Sequence, residues 1–278
     1  MANPVTLQAS YDFSRRIARS RARNFYYSFL LLSSEQKNAM CAIYAFMRYC
    51  DDISEGEGAS LEAIEQWRAD LDRALTGDYP ANPLWPAFHD TVKRFEIPHK
   101  YFHEMIDGVS SDLQPRQVQT FDELYHYCYQ VASVVGLTII HIFGFDSSDA
   151  LPLAEKCGIA FQLTNILRDI REDSENHRVY IPSEDIQRFG ADLTKYDEKF
   201  VALMRFEAKR ASQYYAESRP LIGMVDARSR RSLWAMIEIY RRLLGRIEQS
   251  NFRVLDRRIR VPATEKLGIL ASAILGLN

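Results

Sequence analysis

Hydrophobic positions recur along the chain at helical spacing, and the apolar–polar alternation typical of β-strands is almost absent. Predicted helices cover residues 8–32, 35–55, 59–76, 84–95, 99–114, 120–143, 147–174, 193–217, 227–250 and 263–276. Glycine or proline lies at most of the breaks between them, as expected where helices end. Two segments, AIYAFMRYC and YQVASVVGLTIIHIFG, are apolar on nearly all sides and are predicted to be central helices. We therefore expect one all-α domain, a helical bundle, over residues 1–278.

Composition narrows the class of protein further. The 278 residues are 47% hydrophobic with a net charge of −2, so a large core is possible and nucleic-acid binding is not indicated. The four cysteines have no CxxC spacing and lie in apolar segments, which favours buried thiols in a reducing compartment. We find no secretory signal and no apolar run long enough to span a membrane, so we expect a cytoplasmic protein. The apolar segment 267–278 is predicted to dock on the bundle, with peripheral contact at the inner face of the membrane as the alternative.

The stretch FQLTNILRDIRED, residues 161–173, combines an apolar helix with a line of polar side chains. Four of its residues are spaced by 3, 4 and 4 positions and share one narrow face of a helix: Gln162, Asn165, Asp169 and Asp173. The isoleucine and leucine residues between them point elsewhere and are free to pack. One helix therefore presents two amides and two carboxylates in a row, and Glu172 beside them has no assigned role.

A second acidic line occurs earlier, in AIYAFMRYCDDISE, residues 42–55. Its members are spaced by 4, 3 and 4 positions, with Asp52 alongside: Tyr44, Arg48, Asp51 and Glu55. Acidic residues at a helix C-terminus oppose the helix dipole, and like charges four residues apart repel each other. A cost that recurs twice favours a cation between the two helices, although acidic residues at solvated helix ends are also common. Because Mg²⁺ binds through a few carboxylates and substrate phosphates, the spacing favours a metal–phosphate site.

A di-iron carboxylate bundle is the competing metal site, since it also uses acidic residues on facing helices. That site needs two helical Glu-x-x-His motifs. The pair Glu123 and His126 fits the spacing, but Glu96 and His99 flank Pro98 and do not share one helix. The di-iron alternative is therefore disfavoured.

Several long segments together resemble the squalene/phytoene synthases, which join two isoprenyl diphosphates head to head in an all-α isoprenoid-synthase fold with a central active-site cavity. YAFMRYCDDISE is similar to the first aspartate motif of that family, and QLTNILRDIRED followed by RVYIP is similar to the second. YCYQVASVVG resembles a third signature between them, and RARNFYYSFLLLSSEQKNAMCAIYAF resembles the substrate-binding region. The resemblance covers about residues 12 to 262, nearly the whole chain.

The resemblance implies roles for particular residues. It implies that Mg²⁺, or Mn²⁺ in its place, is held between the diphosphates by Asp51, Asp52, Glu55, Asp169 and Asp173. It implies that phosphate oxygens or the metal shell are contacted by Arg23, Asn24, Tyr44, Arg48, Gln162, Asn165 and Arg178. Proton transfer and contact with cationic intermediates are implied for Tyr127, Tyr180 and Tyr240. Taken singly, Tyr127 and Tyr240 also fit ordinary packing positions, and Arg48 also fits a salt bridge.

The implied reaction explains these residue types. Ionisation of an allylic diphosphate produces pyrophosphate and a carbocation, so cations must stabilise the leaving group and an apolar pocket must exclude water. Aromatic faces stabilise the positive charge of the intermediate. Asp169→Ala is therefore expected to abolish turnover and leave the fold intact.

Two positions depart from the family pattern. The first motif ends in Glu55 instead of aspartate, which changes the geometry of the metal ligand, and Ala22 stands where many relatives have serine. Within the family, FYYSF and YCYQVASVVGL with IFG look most like bacterial presqualene diphosphate synthases, which use farnesyl diphosphate and need no NADPH. Reductive squalene synthase and phytoene synthase are the next alternatives. A non-catalytic assembly factor of the same family is disfavoured because both acidic motifs are present, and no oligomeric state is predicted.

Overall fold

The computed structural model describes residues 5–22, 25–56 and 58–276, and for Phe25 and Glu55 it describes the backbone only. The α-helices are α1 (Leu7–Arg21), α2 (Phe25–Phe29), α3 (Ser34–Glu55), α4 (Leu61–Leu75), α5 (Trp85–Arg94), α6 (Lys100–Ser110), α7 (Phe121–Cys128), α8 (Val134–Phe143), α9 (Ala150–Glu175), α10 (Ser183–Phe189), α11 (Glu198–Ser218), α12 (Leu221–Met224), α13 (Ala227–Gln249) and α14 (Ala263–Leu275). A 3₁₀ turn covers Ser111–Leu113, and a π-helical segment, Tyr129–Ser133, joins α7 to α8. The all-α prediction is confirmed.

Strand structure in the described ranges is limited to two dipeptides, β1 (Arg116–Gln117) and β2 (Arg178–Val179). They pair in parallel, with Arg116 opposite Arg178. The pairing ties the loop after α6 to the residues that follow α9, which the helical pattern alone did not predict.

The helix boundaries differ from the predictions in several places. The predicted helix over 8–32 contains two separate helices, since α1 ends at Arg21 and α2 ends at Phe29. Helices α10 and α12 were not predicted, because seven and four residues are too short for a periodic signal. Helix α11 starts at Glu198 and not at residue 193, because the Asp197 side chain caps it by accepting a hydrogen bond from Phe200 N.

An aromatic cluster anchors α3 to its neighbours. The ring of Phe46 stacks on that of Phe88 at 4.7 Å between centroids and meets Phe102 edge to face at 5.4 Å. Trp67 and Trp85 complete the cluster from α4 and α5. All five side chains are buried, and large aromatic surfaces of this kind contribute strongly to core stability. The cluster therefore fixes the orientation of the helix that carries the first acidic motif.

The central helices have a common direction. Near the start of α3, Gln36 Nε2 donates to Ile142 O at the end of α8 and to Ser229 Oγ at the start of α13. Helix α9 runs antiparallel to α8, because Gly158 lies against Ser133 and Gly136 lies against Ala154. Helices α3, α9 and α13 therefore begin at the same end of the bundle, and their later turns point toward the other end.

Close approach between α9 and the π-helical segment depends on Gly158. A Cβ atom at this position would lie 2.5 Å from Ser133 Cα and 2.7 Å from Ala132 O. π-Helical segments are rare and frequently occur at functional sites. This one places Val131 and Ala132 in the wall of the cavity described below.

By length and composition, the helix Phe121–Phe143 could cross a membrane. Much of it lies inside the bundle, and its residues pack against α6 and α9. The same composition is typical of a core helix, so this segment alone is weak support for a membrane span.

Candidate active site

A cavity of about 420 Å³ lies among α3, α6, the π-helical segment, α8, α9 and α13. Its apolar walls include Met40 and Ile43 on α3, Ala154 and Cys157 on α9, and Leu233 on α13. Its polar lining comes from later turns of α3, α9 and α13, from the α6–α7 loop and from α7: Tyr44, Arg48, Asp51, Asp112, Tyr127, Gln162, Asn165, Arg168, Asp169 and Tyr240. Because α3, α9 and α13 share a direction, the cavity is apolar toward one end and polar toward the other.

The first acidic motif contributes an arginine with two carboxylates. Arg48 forms an ion pair with Asp52, and its Nη1 lies 3.8 Å from Asp51 Oδ2. The two aspartates are about two-fifths exposed, at 42% and 43%, so these pairs are screened by water. Arg48 Nε, by contrast, is buried and has no hydrogen-bond partner. Tyr44 lines the same wall, and burial raises its pKa to about 12.

The second acidic motif lies on α9 in the cavity wall, and arginines form ion pairs with its carboxylates. Asp169 accepts a hydrogen bond of 2.8 Å from Arg168 Nε, and both side chains are only 14% exposed. Arg258, from the loop after α13, contacts Asp169 at 3.1 Å and Glu172 at 2.6 Å. Glu172, which had no role in the sequence pattern, is therefore the anchor of Arg258.

Two amides of the stripe lie beside the carboxylates in the cavity wall. Asn165 Nδ2 donates to Gln162 Oε1 at 3.3 Å. Asn165 Oδ1 is buried and has no hydrogen-bond partner. An unpartnered buried acceptor costs free energy, so this oxygen is suited to a cation or to a donor on a ligand.

Asp173 lies one turn beyond Asp169 and does not line the cavity itself. Burial and then the negative charge of Asp169 raise the pKa of Asp173 to about 7, with smaller contributions from Glu172 and Asp112 and opposition from Arg178. Burial therefore makes the largest contribution to the rise, and the neighbouring carboxylates add to it. A bound cation would favour the charged form of this carboxyl group.

Tyr127 and Tyr180 meet at a carboxylate that the sequence pattern did not single out. Tyr127 donates to Asp112 Oδ2 at 2.8 Å, and Tyr180 donates to Asp112 Oδ1 at 2.7 Å. The two rings are stacked at 4.7 Å between centroids. Arg178 reaches the same turn, where its Nη2 donates to Asp112 O at 2.9 Å. Two of the three tyrosines predicted to be catalytic, Tyr127 and Tyr180, therefore share one acceptor.

Tyr240 is placed on the α13 side of the cavity. Its ring is nearly parallel to that of Phe161, with centroids 4.2 Å apart. Both residues line the cavity, so two aromatic faces are available beside the polar end. Arg23 and Asn24, also predicted to bind substrate, lie outside the described residues, as does the Glu55 side chain.

The donor set fits magnesium and diphosphate. Asp51 and Asp169 line one cavity from two helices, and Asn165 Oδ1 adds an unpartnered oxygen, which matches the hard oxygen ligands that Mg²⁺ takes. The buried, unpartnered Nε of Arg48 suits a phosphate oxygen. Among the side chains that the structure describes, no three acidic, histidine or cysteine groups already surround a common point. Arginines contact the carboxylates instead, so ligand binding would have to exchange some of these pairs.

Three residues of the site are not predicted by the sequence pattern: Arg168, Asp112 and Arg258. Arg168 lies within the second motif, but it falls off the polar stripe and was overlooked for that reason. Asp112 and Arg258 lie in a turn and a loop, where no periodic pattern marks a functional position. Only their contacts with predicted residues identify them.

Comparison with known proteins identifies the family and agrees with the fold. The family model described as squalene/phytoene synthase matches residues 18–265. A phytoene synthase of Mycobacterium tuberculosis is 37% identical, over 96% of this chain and 91% of that protein. A crystal structure of a dehydrosqualene synthase has a TM-score of 0.91 at 29% identity and covers 98% of this chain and 97% of its own. A squalene synthase from Alicyclobacillus acidocaldarius has a TM-score of 0.82 at 26% identity and covers 90% and 97% of the two chains.

Proposed function

Because the chain belongs to the squalene/phytoene synthase family of prenyltransferases, we propose that it joins two farnesyl diphosphates head to head, giving presqualene diphosphate and pyrophosphate in a Mg²⁺-dependent reaction. The observation that carries this proposal is the polarity of the cavity. Its apolar end suits prenyl chains, and its polar end holds an unpartnered arginine nitrogen and an unpartnered amide oxygen. An isoprenyl diphosphate has the same division between hydrocarbon and charge.

The choice of C15 over C20 chains is supported by the size of the cavity. A volume of about 420 Å³ is modest for a site that must hold two prenyl chains, and shorter chains need less of it. Two solved relatives above 25% identity are named dehydrosqualene synthase and squalene synthase, and squalene is a C30 compound.

Condensation of two geranylgeranyl diphosphates to phytoene is the second candidate. It is favoured by the 37% identity to a protein named phytoene synthase, which exceeds the identity to either solved relative. The two candidates share the residues of the polar end. They differ in the length of chain that the apolar end must accept and in whether the second diphosphate also leaves.

In the proposed mechanism the polar residues act on the diphosphates and the apolar walls protect the carbocation. Bound Mg²⁺ would neutralise charge on the departing pyrophosphate, held by Asp51 and Asp169 with the other acidic residues of the two motifs. Arg48 Nε would donate to a phosphate oxygen. The stacked rings of Phe161 and Tyr240 would stabilise the cation, and the apolar lining would exclude water.

We place the reaction in the cytoplasm, with product delivered to the inner face of the membrane and without a requirement for NADPH. The outward side of α14 supports the membrane contact, since Leu267, Ile274 and Leu275 are exposed there. The long hydrocarbon part of presqualene diphosphate has little solubility in water, so a nearby lipid surface would receive the product.

The test is incubation of purified protein with each substrate, with or without NADPH, in Mg²⁺ or in excess chelator. Released pyrophosphate is quantified, and the lipid is identified by mass spectrometry. Presqualene diphosphate from farnesyl diphosphate in Mg²⁺ alone is the expected result. Phytoene from geranylgeranyl diphosphate as the dominant product would favour the second candidate. Absence of pyrophosphate release from both substrates would refute condensation altogether.

A further inference from the structure

Asp112 occupies an unusual place in the cavity wall. It lies in the 3₁₀ turn after α6, outside both acidic motifs, and its side chain is nevertheless part of the lining. Burial raises the pKa of this carboxyl group, while hydrogen bonds from Tyr180 and Tyr127 oppose the rise. Hydrogen bonds from the two tyrosines compensate part of the cost of burying this carboxylate.

The hydrogen-bond geometry around Asp112 fixes the direction of two phenolic hydrogens. Each carboxylate oxygen accepts from a different tyrosine, at 2.8 Å from Tyr127 and 2.7 Å from Tyr180. Tyr180 Oη is a second acceptor within reach of Tyr127 at 3.1 Å, but Asp112 Oδ2 is the closer and the charged one. A tyrosine hydroxyl has a single hydrogen, so a tyrosine that donates to Asp112 offers only lone pairs to any other group.

Two arginines, Arg116 and Arg178, contact the turn and the Tyr127 ring. The Arg116 guanidinium lies over the Tyr127 ring at 4.7 Å, and Arg116 Nη1 donates to Ser111 Oγ at 2.6 Å. Arg178, paired with Arg116 through β1 and β2, donates to Asp112 O. The turn, the tyrosines and the strand pair therefore form one rigid unit.

We propose that Asp112 is a positioning residue that keeps Tyr127 Oη as a proton acceptor in the cavity and receives the hydrogen that Tyr127 gives up. The inference rests on the proposed function. When the second prenyl chain attacks the allylic cation, closure of the cyclopropane ring breaks a C–H bond. The released proton bonds to Tyr127 Oη, and the hydrogen of Tyr127 passes to Asp112 Oδ2. Tyr127 ends neutral and Asp112 ends protonated, so charge and protons balance.

The test is Asp112→Asn, which keeps the size of the side chain but removes the second acceptor and the site for the proton. We expect kcat to fall about 100-fold or more, the range of a lost general acid–base step, while KM for the diphosphate changes by less than about threefold. Asp112→Glu retains a carboxylate and is expected to keep more activity than Asp112→Asn. Asp107→Asn is the matched control, because Asp107 lies on α6 with a side chain 51% exposed.

A double-mutant cycle separates this role from a structural one. If Asp112 acts through Tyr127, then adding Asp112→Asn to Tyr127→Phe should reduce kcat no further than Tyr127→Phe alone. Circular dichroism and thermal melting check that each variant is folded, and if Asp112→Asn unfolds, the cycle is run with Asp112→Glu. Independent, multiplying losses, or wild-type kcat in Asp112→Asn, would overturn the inference. Failure of the wild-type protein to convert either substrate would instead refute the proposed function.

Discussion

Removal of the Asp169 carboxylate should cost stability as well as activity. Arg168 and Asp169 are both 14% exposed, and Arg168 Nε donates to Asp169 Oδ1 at 2.8 Å. Asp169→Ala leaves the guanidinium buried without this partner. Loss of one member of a buried pair lowers the free energy of unfolding by about 3–5 kcal/mol. Arg168 keeps some exposure to water and lies near Glu172, so we expect a loss of about 2–4 kcal/mol.

The resemblance to the family predicted an inactive protein with an intact fold, and the buried pair adds a loss of stability to that prediction. The free energy of unfolding of a domain is about 5–15 kcal/mol. The Asp169→Ala variant should therefore still fold at room temperature, but with a much lower free energy of unfolding. Asp169→Asn keeps an oxygen for Arg168 and should lose only about 1–2 kcal/mol, the value of charge in such a hydrogen bond. Both variants should lose turnover, since the proposed metal ligand is gone.

Urea unfolding monitored by circular dichroism, without Mg²⁺, measures these differences. Glu175→Ala is the matched control, because Glu175 also pairs with an arginine on α9 but is 62% exposed. Its loss should be below about 1 kcal/mol. If Asp169→Ala unfolds at the same urea concentration as wild type, or if Glu175→Ala loses as much, the buried pair does not contribute as described.

Three further outcomes follow from burial and close packing. The pKa of Asp173 is raised to about 7, and metal ligands must be deprotonated, so the apparent affinity for Mg²⁺ should rise from about pH 6 to pH 8. Titration of activity with Mg²⁺ measures this affinity, and equal affinity at both pH values would contradict the prediction. Burial raises the pKa of Glu207 from 4.5 to about 8, although Arg210 opposes the rise. Between these pH values the folded state binds a proton at Glu207 and the unfolded state does not, so the free energy of unfolding should fall from about pH 4.5 to pH 8. Glu207→Gln should flatten that fall in urea midpoints, and an unchanged slope would count against the assignment. Gly158→Ala should lower the melting temperature and reduce the free energy of unfolding by about 1–3 kcal/mol, because the new Cβ would lie 2.5 Å from Ser133 Cα. An unchanged melting temperature would show that the two helices separate easily.

The polar stripes illustrate how far sequence periodicity reaches. Spacing alone placed Gln162, Asn165 and Asp169 on one face of a helix, and all three line the cavity. Helical geometry guarantees that result once the helix forms, because residues three and four apart share a face. Asp173 belongs to the same stripe, yet it falls outside the cavity lining, since the spacing does not say where the opposite wall ends.

Residues in turns and loops followed no such rule. Asp112 meets Tyr127 and Tyr180 only because the chain folds a 3₁₀ turn, a helix and a strand pair against one another. Arg258 reaches Asp169 across 89 positions of sequence. Contacts over such separations depend on the packing of whole helices, which no local pattern contains.

The sequence by itself determined the all-α class, the two acidic helix faces and the family, because these depend on local periodicity and on the order of motifs. The tertiary structure decided which charges are paired. It placed Arg168 and Arg258 on Asp169 and two tyrosines on Asp112, and it left Arg48 Nε and Asn165 Oδ1 without partners. Burial and distance set the strength of an electrostatic interaction, and both quantities exist only once the helices have packed.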